Sequence, residues 1–112
     1  MQFTSEEKEN LVLAAKAVGN GAVFYQNPVW YTEYMILGNV TERWDPLHNM
    51  ADAFKLDTDL GLHTTIDKVG VYIYRDNIFL AHTKFVDFGG NRCVARQYAI
   101  VAAAAEIGRT LT

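Results

Sequence analysis

The chain has 112 residues, half of them hydrophobic and 21% charged, with a formal net charge of -3. That length suits one domain over residues 1–112, burying about two-thirds of its unfolded surface, and the composition excludes a disordered chain. The acidic balance gives no basic face for wrapping double-stranded nucleic acid. The single cysteine, Cys93, excludes a disulfide framework and a cysteine-rich zinc site, and fits a reducing cytoplasm. No apolar run reaches the roughly eighteen residues of a membrane span, and the N-terminus has no leader pattern.

In chain order, Thr4-Ser5-Glu6-Glu7 has capping-box spacing and opens a helix over about 5–18, its apolar stripe being Leu11, Ala14, Ala15 and Val18. Gly19-Asn20-Gly21 stops it. Ala22 to Gln26 and Val29 to Leu37 read as a strand pair about a turn at Asn27-Pro28, with a further short strand expected over Val40 to Trp44. Asp45-Pro46 then starts a helical turn over 46–48, and Asn49 caps a helix from Met50 to Leu60 that ends at Gly61. Its stripe is Met50, Ala53, Phe54 and Leu60, leaving Asp52, Lys55, Asp57 and Asp59 to water. His63 to Asp67 is extended, Val69 to Tyr74 alternates, and Arg75-Asp76-Asn77 turns into a strand over Ile78 to Phe85. After a break at Asp87 to Asn91, a largely buried, alanine-rich helix runs from Arg92 to about Thr110. The class is α+β: an antiparallel or mixed sheet with helices on one or both faces.

Trp44-Asp45-Pro46, Asn49 and Ala51-Asp52-Ala53-Phe54, together with Arg96-Gln97-Tyr98-Ala99-Ile100-Val101 and the alanines after it, resemble the signatures of small bacteriophage proteins of the phage ABA-sandwich family and their NinX-like relatives. The resemblance implies an α/β/α sandwich and a phage origin, hence the host cytoplasm. It carries over no catalytic residue.

Several residues invite a chemical reading. Gly89-Gly90-Asn91-Arg92 followed by Arg96 offers helix-start N–H groups beside two arginines one turn apart, the makings of a phosphate or carboxylate site. A ring for stacking comes from Trp44 or Tyr34, so the candidate ligand-binding set is Gly90, Asn91, Arg92, Arg96, Trp44 and Tyr34. Against this stands a capped helix whose arginines pair with acids. His48, His63 and His82 lack metal-ligand spacing, Cys93 has no base partner, and no cofactor is implied. The many tyrosines and tryptophans exceed what one core face needs, and any left exposed suit a protein interface or a nucleobase. The leading expectation is a non-enzymatic phage accessory protein acting by binding, in counter-defence, with a host or phage protein or a small anionic nucleotide signal as its target. The alternatives are a small hydrolase or transferase with its site at an oligomer interface, and a structural assembly component. A homodimer is also expected.

Overall fold

The computed structural model describes residues 3–26, 33–38 and 43–111, with only the backbone of Glu33 and Tyr34. Helix α1 (Ser5–Ala17) begins at its capping box: the Thr4 N–H donates to Glu7 Oε1 at 2.8 Å and the Glu7 N–H to Thr4 Oγ1 at 3.1 Å. Two donors that the helix geometry orphans are thereby satisfied. Leu11, Ala14 and Ala15 are its buried stripe. Strands β1 (Ala22–Gln26) and β2 (Glu33–Leu37) follow as an antiparallel pair, Ala22 opposite Leu37 and Gln26 opposite Glu33. The expected turn at Asn27-Pro28 and strand residues 29–32 lie outside the described residues. Of the strand expected over Val40 to Trp44, residues 40–42 lie outside them too, and Arg43 makes an isolated bridge to Ile36.

Helix α2 (Met50–Leu60) is built as its sequence dictates, with Asn49 Oδ1 accepting from the Asp52 N–H at 3.1 Å and Gly61 in the left-handed region at φ 63°. Its buried face differs from the expected one. Ala53, Leu56 and Leu60 are buried, whereas Met50 is 40% and Phe54 42% exposed. Residues 53, 56 and 60 also recur at helical spacing, and this second stripe turns to the core because Phe54 lies outside it, beneath the Arg96 guanidinium at 5.1 Å.

Strands β3 (His63–Ile66), β4 (Gly70–Arg75) and β5 (Ile78–Lys84) make a second antiparallel sheet in that order. Asp76 and Asn77, at φ 53° and 66°, form the tight β4–β5 turn, a conformation Asp and Asn tolerate. Ile73 faces Ala81 but Tyr74 faces Phe79, so Leu80 is a bulge residue that sends both itself and Ala81 towards the core. The strand expected to reach Phe85 ends at Lys84, and Phe85–Phe88 forms a 3₁₀ turn that runs into the break expected from Asp87, closed by Gly89 and Gly90 at positive φ.

Helix α3 (Arg92–Thr110) is the centre of the molecule, packing on β4 and β5 with one side and on α1 and α2 with others. Its alanines permit this: Ala95, Ala99, Ala103 and Ala104 are wholly buried. At Gly108 a Cβ would stand 2.0 Å from the Leu13 carbonyl oxygen of α1, so only glycine fits the crossing. Two side-chain bonds fix α3 in place: Thr83 Oγ1 donates to the Ala95 carbonyl at 2.8 Å, and the Tyr98 hydroxyl to Glu7 Oε2 at 2.6 Å. The architecture is α+β, with both sheets antiparallel. Among the described residues the layers run from α1 and α2 through α3 to the larger sheet. No described helix is long and apolar enough to cross a membrane.

Candidate functional site

The Trp44 corner is held by its own motif. The Trp44 N–H donates to the Met35 carbonyl, fastening the corner to β2. Asp45 Oδ1 accepts from the N–H groups of Leu47 and His48, both at 3.2 Å, while its Oδ2 meets His48 Nδ1 at 2.8 Å. Asp52, on the first turn of α2, reaches back through Oδ2 to the Asp45 N–H at 2.8 Å. Asp45, Asn49 and Asp52 are thus three linked caps that turn the chain from β2 into α2. Pro46 is fully buried behind them.

Two cavities, of about 320 and 280 Å³, flank Trp44 and share Arg43, Trp44 and Asp52 in their walls. One continues along Met35, His48 and Asn49; the other along Val18, Leu37 and Leu56, with Lys55 and Asp59 at its edge. Together they form an amphipathic groove of the size that takes a small ligand. Trp44 is only 6% exposed, and its indole N–H makes no hydrogen bond among the described residues. Asp52 Oδ1 likewise has no hydrogen bond there, since only Oδ2 is engaged. The groove therefore offers a donor and an acceptor, with apolar walls from Met35, Leu37 and Leu56. Its polar lining is of mixed charge, Asp45, Asp52 and Asp59 alongside Arg43, His48 and Lys55. Among the described residues no nucleophilic side chain bonds to His48 and no cluster of metal-ligating side chains is present.

The residues expected to form one ligand site fall in two places. Gly90, Asn91, Arg92 and Arg96 do meet at the start of α3, where Asn91 Oδ1 caps the Val94 N–H at 3.1 Å. Arg92 lies over the Phe85 ring at 4.7 Å. Arg96, over Phe54, is 3.9 Å from Asp57. Burial raises the Asp57 pKa, and Arg96 only partly opposes that rise. Trp44 is not with them. On α2, Asp52, Lys55, Leu56 and Asp59 line the Trp44 groove, whereas Phe54 and Asp57, which hold Arg96, lie on the opposite side of the same helix. A stacking ring at Trp44 and an anion at Arg92 and Arg96 cannot serve one small ligand. The side chain of Tyr34 lies outside the described residues.

Matched against protein-family models, curated proteins and solved structures, the chain finds no counterpart. Its chemistry therefore has to be read from its own groups.

A second cleft lies between α1 and α3, lined by Thr4, Glu7, Leu47 and Tyr98. Burial works against the ionised Glu7 carboxylate, but hydrogen bonds from the Thr4 backbone and the Tyr98 hydroxyl outweigh it and hold its pKa below the ordinary value. Burial and that same bond push the Tyr98 phenol well above its ordinary pKa. The pair is a clamp between helices, its proton firmly on the phenol. Sequence spacing could not show it, because the partners are 91 positions apart. The groove was equally hidden: Trp44 and Asp52 are visible as motif residues, but Met35, Leu37 and Val18 reach it from β2 and the end of α1.

Proposed function

We propose that the chain is a non-enzymatic accessory protein that acts by binding a small planar ligand, a nucleobase-bearing molecule, in the groove beside Trp44. The observation that carries this is the placing of the Trp44 indole N–H and Asp52 Oδ1, neither hydrogen-bonded among the described residues, in the walls of one amphipathic groove. A purine or pyrimidine edge presents the complementary acceptor and N–H donor on a flat apolar body, and a site built to bond such groups discriminates strongly against analogues that lack them. The lining carboxylates Asp45, Asp52 and Asp59 disfavour phosphates close to them, so any phosphate is carried outward, towards solvent. The resemblance to phage ABA-sandwich proteins supports a role in a phage-infected host cytoplasm, where capturing a nucleotide signal would counter defence.

The test follows the Trp44 indole N–H resonance by ¹H–¹⁵N NMR, with Trp44→Phe assigning it against Trp30, while bases, nucleosides and nucleotides are added. Binding should move that resonance. Asp52→Asn keeps an acceptor for the Asp45 N–H but removes the charge, and should weaken binding by about tenfold, the scale of one hydrogen bond to a charged group. Arg92→Ala should leave affinity unchanged. A resonance that stays still throughout the panel at millimolar ligand would end the proposal.

A further inference from the structure

The larger sheet keeps one face away from α3. Register places Thr65, Tyr72 and His82 in one cross-strand row on that face, and His63, Tyr74 and Phe79 in the next. Tyr72 and His82 stack at 4.2 Å with planes 7° apart, while Tyr74 and Phe79 meet edge to face at 5.7 Å. Phe79 is 54% exposed, and Ile66, Val69 and Ile78 around the sheet are also exposed. These rings are turned onto one another, which makes ridges and clefts suited to interdigitating side chains, unlike the flat platform that bases stack on.

The charges at the two ends of the face are opposite. At the β3–β4 turn end are Lys68 and Lys84; the Asp67 there is already used, accepting from the Val69 and Gly70 N–H groups at 2.8 and 3.0 Å. At the β4–β5 turn end is Asp76, with Arg75 beside it at a position in step with the buried Val71 and Ile73, on the other face. None of Lys68, Lys84 and Asp76 has an ion-pair partner among the described residues.

The geometry points to a second copy of this chain as the occupant of the face, in a two-fold arrangement whose axis runs between the sheets, across the strands. That axis lays β5 on β5 but reverses its direction. The Tyr72/His82 row of one protomer then packs on the Tyr74/Phe79 row of its partner, and Lys84 meets Asp76 of the partner subunit at both ends. Such self-complementarity is what an isologous interface requires. Strands of four, six and seven residues, about 4.8 Å apart, make a patch of about 270 Å² in projection. With side-chain relief this removes roughly 900 Å² in total from water, the size of a weak, transient interface and in keeping with self-association at tens of micromolar. The Trp44 groove is built from α1, β2 and α2, so this pairing and ligand binding there stand or fall separately.

Sedimentation velocity across a micromolar concentration series tests it. The wild-type chain should be a dimer at about 100 μM, and Phe79→Glu a folded monomer by circular dichroism, its charge unable to enter the ring rows. Lys84→Glu should weaken pairing by about tenfold through repulsion of the partner's Asp76. Asp76→Asn, which suits the left-handed turn, should weaken wild-type pairing but strengthen pairing in the Lys84→Glu background. That reversal of sign identifies the contact. A wild-type monomer at every concentration overturns the proposal, as does a dimer indifferent to Phe79→Glu. A dimer lost in Phe79→Glu without the sign reversal overturns the two-fold arrangement.

Discussion

Replacing Gly108 by alanine adds one methyl group where two helices are nearest. Its Cβ would stand 2.0 Å from the Leu13 oxygen and 2.8 Å from the Leu13 carbonyl carbon, both backbone atoms that no rotamer change can move aside. Ordinary contact begins near 3.4 Å, so α1 must retreat locally by about 1.4 Å, a gap large enough to forfeit up to half of each neighbouring dispersion contact. Overpacking of this kind costs up to about 3 kcal/mol, and the better helix propensity of alanine returns about 1 kcal/mol. The net expectation is a loss of about 2 kcal/mol, or a fall in Tm of about 8 °C for a chain of this size. Urea unfolding followed by circular dichroism would give the value, with an unchanged slope confirming that the native state alone is affected. The sign decides the matter. A variant more stable than the parent by about 1 kcal/mol would mean that propensity is acting alone and that the helices do not cross closely at Gly108.

Three further outcomes are expected. Tyr98→Phe removes the hydroxyl that donates to Glu7 and should cost about 1–2 kcal/mol at neutral pH. Because the folded Glu7 pKa lies below its unfolded value near 4.5, its stabilisation is complete above that pH and is lost as pH falls through the folded pKa; acid unfolding curves of Tyr98→Phe should therefore flatten below about pH 4.5 relative to the parent. Asn91→Ala, which deprives the Val94 N–H of its acceptor, should lower stability by about 1 kcal/mol in urea titrations, and a neutral result would show that water caps α3 equally well. Asp57 has the opposite sign to Glu7, its pKa being raised, so it costs stability as pH rises through the folded value. Asp57→Asn should accordingly raise stability at pH 7 relative to pH 4 when compared with the parent, and an unchanged profile would place Asp57 in a wetter setting than its burial beside Arg96 implies.

Local chemistry was legible in the sequence wherever it was self-contained. Thr4 and Glu7, Asn49 and Gly61, Asp76-Asn77 and Asn91 each act on residues within a few positions of themselves, and the elements they bound fall where those residues place them. The α+β class follows from their order. Burial was less legible, because α2 carries two apolar stripes and its tertiary neighbours choose between them: Leu56 goes in and Phe54 comes out beneath Arg96. The candidate site was least legible. The glycine-arginine turn was visible as a run at the start of α3, but nothing local reveals that Arg92 goes to Phe85 and Arg96 to Phe54, or that Trp44 and Arg96 stand on opposite sides of α2. The bulge at Leu80 also lies beyond simple alternation, since one extra residue shifts which side chains of β5 face the core.

The α1–α3 crossing has a consequence for how the chain reaches its native state. The stripe of α1 is covered chiefly by a helix that begins at Arg92, so its proper partner is synthesised about 80 residues later. Until then Leu11, Ala14 and Ala15 have only provisional shelter, whereas the β3–β5 meander can pair as soon as it leaves the ribosome. Folding should thus proceed from the hairpin at Asp76-Asn77 outwards, with α1 docking last, and the Glu7–Tyr98 bond would record the moment at which α1 meets a helix made well after it.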